Sequence, residues 1–178
     1  MTPMTRRTVR AGRGFTIVEL IATLGVLSAL SVVAVSSVGA VERAGSRAFS
    51  LEVERALRDA RAAAMATGLP AGVDLNVATG VVDHVALTEA GAVVDRAGPT
   101  GEPIPDLRAS NLHPAAGFAS IVHGNGSIGI GTVWFDAEGA PFWRTKTGAQ
   151  TPYTQDAVIT CNDSTAITVR MTTGAVTR

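Results

Sequence analysis

Hydrophobic and polar positions divide the chain into zones of different period. From Leu20 to Val41 there is no charged residue, a run of 22 positions. About 20 apolar residues suffice for a helix to cross a bilayer. Arg6, Arg7, Arg10 and Arg13 precede the run, which predicts a cytoplasmic N-terminus. From Val41 the pattern becomes amphipathic. Val41, Ala44, Ala48 and Leu51 keep three-to-four spacing, and Val53, Leu57, Ala60 and Ala64 continue it on a slightly shifted stripe. Glu42, Glu54, Arg55, Arg58 and Arg61 supply much of the polar face. Glu54 and Arg58 form an i, i+4 pair in the favourable order. Gly68 and Pro70 stop the helix. No proline separates the two zones, so they predict one helix of about 50 residues, about 75 Å long at 1.5 Å per residue.

From Ala71 the period changes. V-D-L-N-V, V-V-D-H-V-A-L, S-I-G-I-G-T-V-W-F, A-V-I-T-C and A-I-T-V-R-M have strand composition and are punctuated by Gly, Asn, Asp and Pro. Residues 97–106, A-G-P-T-G-E-P-I-P-D, read as an exposed loop. The predicted fold class is α+β: a long N-terminal hydrophobic and amphipathic helix with a C-terminal antiparallel β-sheet head of roughly seven to nine strands. The expected segments are a basic leader over 1–14, an apolar membrane helix over 15–41, its amphipathic continuation over 42–69, and a β-rich head over 70–178.

Charge and cysteine usage sharpen this picture. The formal net charge is +0, with 15 basic and 15 acidic residues. Without the four leader arginines the chain carries 11 basic against 15 acidic residues, a balance of −4. That body is poorly suited to non-specific phosphate binding, which needs clustered Lys and Arg. Cys161 is the single cysteine, so no intramolecular disulfide forms. It reads as a small buried hydrophobe in a strand.

Glu19 is the anomaly, a carboxylate at the start of an apolar run. One reading is an ordinary secretory signal, cut after Ala40 of V-G-A to leave a chain starting at Val41. It has no use for Glu19. A second reading starts from the cost of the charge, about 2.5–3.5 kcal/mol in hydrocarbon, which calls for a partner. A cut between Gly14 and Phe15 creates an α-amine four residues from Glu19, and i and i+4 share a helix face. In a helical assembly the amine of one subunit meets Glu19 of its neighbour, which removes the penalty and sets the axial register.

The stretch G-F-T-I-V-E-L, residues 14–20, resembles the type IV pilin signal: a basic leader ending in Gly, then Phe, a hydrophobic run and Glu at mature position five. The resemblance implies that a prepilin peptidase cuts after Gly14 and N-methylates Phe15. It implies that the hydrophobic helix anchors a single-pass protein in the bacterial inner membrane, in contact with its lipid, with the head outside the cytoplasm. The helix then packs into a pilus or pseudopilus core with other major and minor subunits. Gly25 and Gly39 fall in this helix, as bends or as small contacts for close packing. T-V-W-F-D-A-E-G-A-P-F, residues 132–142, and A-I-T-V-R-M-T-T-G-A-V-T, residues 166–177, resemble elements of the GspH/FimT family. The family's Arg after the turn glycine is absent, since Ala175 follows Gly174. The family implies a minor pilin or pseudopilin that helps initiate or cap a type IV pilus or a type II secretion pseudopilus. It implies no enzyme activity and no cofactor. The alternative is a filament-tip module that captures DNA or a secreted protein. Only Arg170 and Arg178 are basic in the last twenty residues, with Asp163 opposing.

Other motifs point away from chemistry. G-N-G-S-I-G, residues 124–129, fits G-x-G-x-x-G, but the mechanism needs a helix next and I-G-T-V-W-F reads as a strand. His84, His113 and His123 lack helical metal-site spacing. Asp136 and Glu138 read as a solvated hairpin tip. No nucleophile-elbow pattern accompanies the serines.

Overall fold

The computed structural model describes residues 16–145 and 148–178, and for 32–38 the backbone alone. Gly14 and Phe15 lie outside the described residues. The chain divides into two compact units, Met1–Gly39 and Ala40–Arg178. Helix α1 runs Ile17–Thr67 (51 residues) and contributes to both.

In the first unit the expectation of a hydrophobic spine is corrected. Among the described residues no helix is long and apolar enough to cross a membrane. The structure therefore supports neither the hydrophobic pilin-spine part of the expected fold class nor the single-pass inner-membrane localisation. Within the described part of the helix, Glu19, Thr23, Gly25, Ser28 and Ser31 stand among the aliphatic positions. The hydroxyls turn back onto their own backbone, Ser28 donating to Leu24 O and Ser31 to Leu27 O, each at 2.8 Å.

The second unit is built from the later part of α1 and antiparallel strands. In chain order they are β1 Ala71–Asn76, β2 Val81–Leu87, β3 Val93–Asp95 and β4 Leu107–Arg108. A short helix α2, Ala109–Leu112, follows. Then come β5 Phe118–Val122, β6 Gly131–Phe135, β7 Pro141–Arg144 and β8 Gln150–Pro152. The chain closes with β9 Ala157–Cys161, β10 Ala166–Val169 and β11 Val176–Thr177. Among the described residues they form two sheets. The first has the order β3-β2-β1-β6-β7-β8, with β4 also on β2, and the second β11-β10-β9-β5. The span 91–117 thus holds β3, β4 and α2, and S-I-G-I, read as strand, lies before β6 rather than in it.

Local chemistry sets the first hairpin. Asn76 Oδ1 accepts from the amides of Ala78 and Thr79 at 3.0 and 3.2 Å, an Asx turn. Gly80 closes it at φ 64, and Asn76 then faces Val81 in register. Alternation sorts the side chains: Val133 and Phe135 face the main core, whereas Trp134 turns to the other side and stacks on Phe142 at 6.3 Å.

The main core lies between the helix and both sheets. Phe49, Val53, Leu57, Ala60 and Ala64 of α1 meet Val73, Phe135, Ile121, Ile159 and Ile167. Phe49 sits edge-on to Phe118 at 5.0 Å. This corrects the first stripe read from the sequence. Val41 and Leu51 are exposed, at 60% and 48%, while Ser46, Ser50 and Glu54 lie on the buried face. Ser50 Oγ donates to Asp163 at 3.1 Å. Glu54 is held by Arg58 at 2.6 Å, and Arg58 Nη2 also donates to Val176 O at 3.2 Å.

Candidate functional site

Helix α1 opens with a reciprocal cap. The Thr16 amide donates to Glu19 Oε2 at 2.9 Å, and the Thr16 hydroxyl to the same oxygen at 3.0 Å. The Glu19 amide donates back to Thr16 Oγ1 at 3.2 Å. Thr-x-x-Glu is a capping box, in which two otherwise unmatched helix-start groups satisfy each other. The hydrogen bonds from Thr16 hold the Glu19 carboxyl below its ordinary value. Glu19 thus has a partner within its own chain. The T-x-x-E spacing carries that signal in the sequence, and the Thr16 partner stands where only an amine was expected from the charge.

Behind the cap the helix is aliphatic and open. Ile17, Val18, Leu20, Ile21, Leu24, Val26, Leu27 and Leu30 are exposed, from 55% at Leu20 to 77% at Ile17. Contiguous apolar surface of this kind marks interaction sites.

A second feature lies within the Ala40–Arg178 unit. Arg96, just after β3, is 9% exposed. Its amide donates to His84 O at 2.8 Å, and its Nη2 lies 3.2 Å from His84 Nδ1. Its Nη1 has no hydrogen-bond partner among the described residues. No carboxylate forms an ion pair with Arg96 among the described residues. Burial pulls both groups down, and the guanidinium lowers His84 further. A neutral His84 therefore accepts from Arg96. Asp59 acts on both from a longer range, and its side chain is mostly exposed and reaches Arg55 at 3.9 Å. No sequence signal singled out Arg96, because its burial depends on β2 and on the turn after β3.

The remaining candidates do not converge. His84 lies by Arg96. His113 ends α2 and accepts from the Ala115 amide at 3.1 Å. His123 is fully buried, with Nε2 3.1 Å from Gly129 O and its ring edge-on to Trp143. Residues 124–129 form a turn, closed by the His123 amide donating to Ser127 O at 2.8 Å, and strand β6 follows instead of a helix. Asp136 is half-buried rather than a solvated tip. Its Oδ1 accepts from the amides of Glu138 and Ala140 at 3.1 and 2.7 Å, bracing the β6–β7 turn. Cys161 is buried in β9, and burial pushes its thiol up to about 12, which leaves it a poor nucleophile.

Comparison with family models, with curated proteins and with solved structures returns no match.

Proposed function

We propose that the chain is a structural subunit of a type IV pilin-like filament, of the minor pilin or minor pseudopilin kind, acting at filament initiation or as a cap. The observation that carries this reading is the aliphatic surface of α1 directly behind the Thr16–Glu19 cap. A helix that exposes this much apolar surface gains by packing against like helices of neighbouring subunits. The sequence G-F-T-I-V-E-L places a candidate cleavage point, Gly14–Phe15, immediately before that surface. In the proposed filament, the Phe15 amine of one subunit meets Glu19 of the next, in exchange for part of its cap. The partners are a prepilin peptidase and other pilins or pseudopilins. The role is structural, not catalytic.

DNA capture is the weaker reading. Arg170 is engaged by Asp156 at 2.6 Å, and Arg178 donates to Thr165 Oγ1 at 3.3 Å, so neither is presented as a free phosphate clamp.

Intact mass and N-terminal sequence of the protein from the producing cells test the proposal. A chain starting at N-methylated Phe15 is expected. A chain starting at Val41 would remove the aliphatic surface and the proposal with it.

A further inference from the structure

The core leaves one apolar stripe of α1 unused. Val41, Ala44, Ala48 and Leu51 recur at three-to-four spacing. They lie away from Phe49, Val53 and Leu57, which are fully buried against the sheets. Val41 is 60% exposed and Leu51 48%, Ala44 is exposed and Ala48 half-buried.

Charge is sorted across this outward face. At 3.6 residues per turn, Arg47 lies to one side of the stripe, and Glu52 and Asp59 to the other. Arg58, on the Arg47 side, is engaged by Glu54 and Val176 O. Asp59 is reached by Arg55 at 3.9 Å. Arg47 and Glu52 are exposed and form no ion pair among the described residues. They stand five positions apart in the chain. At that spacing, flanking charges of two parallel helices meet across an apolar seam of period 3.5. In an antiparallel pair the basic flank would meet the basic flank, and the acidic flank the acidic one. The sorting of charge therefore fits a like helix running in the same direction.

We propose that α1 pairs with α1 of a second copy of this chain, in parallel and in register, through Val41, Ala44, Ala48 and Leu51. Arg47 of each copy then meets Glu52 of the other. The seam ends at Leu51, because Arg55 would next face Arg55 of the second copy. About three turns of helix bury less than the roughly 1,200 Å² of a stable interface. The pair is therefore weak alone and gains wherever parallel helices are held at high local concentration. Every residue it uses belongs to the Ala40–Arg178 unit, so the pairing does not depend on the filament reading.

Disulfide cross-linking of the full chain in the producing cells tests it. Cys161 is buried and does not compete. Leu51→Cys is expected to give a cross-linked dimer on oxidation, since the pair brings the two positions within disulfide reach, about 4.4–6.8 Å between Cα atoms. When Val41→Cys and Leu51→Cys chains are made together, each should link to its own kind. An antiparallel pair would instead link one to the other. Arg47→Glu added to Leu51→Cys should lower the dimer yield about fivefold, through two like-charge contacts per pair. Adding Glu52→Arg as well should restore it. All four positions are exposed, so the variants leave the core intact. No dimer from Leu51→Cys, mixed Val41–Leu51 dimers, or a double charge swap as poor as Arg47→Glu alone would overturn the inference.

Discussion

Thr16 and Glu19 cap each other: the Thr16 amide gives a hydrogen bond to the Glu19 carboxylate at 2.9 Å, and the Glu19 amide returns one to the Thr16 hydroxyl at 3.2 Å. The carboxylate that disturbs the hydrophobic pattern is therefore also the one that starts the helix.

The cap should be sensitive to acid. Its hydrogen bonds hold Glu19 below the ordinary glutamate value. A lowered carboxylate adds stability above its unfolded value, about 4.3, and that stability is lost as pH falls through the folded value. Amide exchange at Glu19 and Leu20 should speed up below about pH 4, beyond the intrinsic pH trend. Thr16→Ala should speed it at neutral pH.

The two stripes on α1 should separate by mutation. Leu57 is fully buried and Leu51 is 48% exposed. Leu57→Ala should cost about 2–5 kcal/mol in urea unfolding, and Leu51→Ala no more than about 0.5 kcal/mol. Equal effects would contradict the placement of the helix face.

That contrast shows where the sequence was legible. V-V-D-H-V-A-L and A-V-I-T-C are rich in β-branched residues and coincide with β2 and β9. The first stripe on α1 does not mark the inner face, because the helix is rich in alanine, which suits several faces equally well. Its true inner face carries Ser46, Ser50 and Glu54, whose partners arrive from distant parts of the chain: Ala115 O, Asp163 in the β9–β10 turn and, through Arg58, Val176 O of β11. The cap was written in T-x-x-E. Arg96 was not, because His84 comes to it only through strand pairing.

Glu54 and Arg58 should behave as a coupled pair. Glu54 is 7% exposed, and Arg58 joins it to Val176 O. Arg58→Ala leaves Glu54 buried without its partner and should cost about 1–3 kcal/mol. Adding Glu54→Leu should recover much of that loss. A double-mutant cycle by urea unfolding reads the coupling.

Mild acid should destabilise the Ala40–Arg178 unit. Burial lowers both His84 and His123, so the unfolded chain takes up protons first. Stability is then constant above about pH 6.5 and falls below it, as protons favour the unfolded state. The melting temperature should drop between about pH 7 and 5.5, and His84→Gln should flatten that slope. A melting temperature that rises over this window would show the sign to be wrong.

The most direct measurement of the central claim is filament incorporation of Glu19→Gln. Glutamine keeps the capping box, since S/T-x-x-Q caps as S/T-x-x-E does, but it removes the charge that pairs with the Phe15 amine of a neighbour. Its amount in the sheared filament fraction is compared with wild type and with Glu19→Ala. The account predicts that Glu19→Gln is cut after Gly14, keeps slow exchange at the start of α1, and is depleted from filaments nearly as much as Glu19→Ala. Wild-type incorporation of Glu19→Gln would mean that Glu19 serves only to cap its own helix. Absence of the wild-type chain from the filament fraction would contradict the proposed function itself.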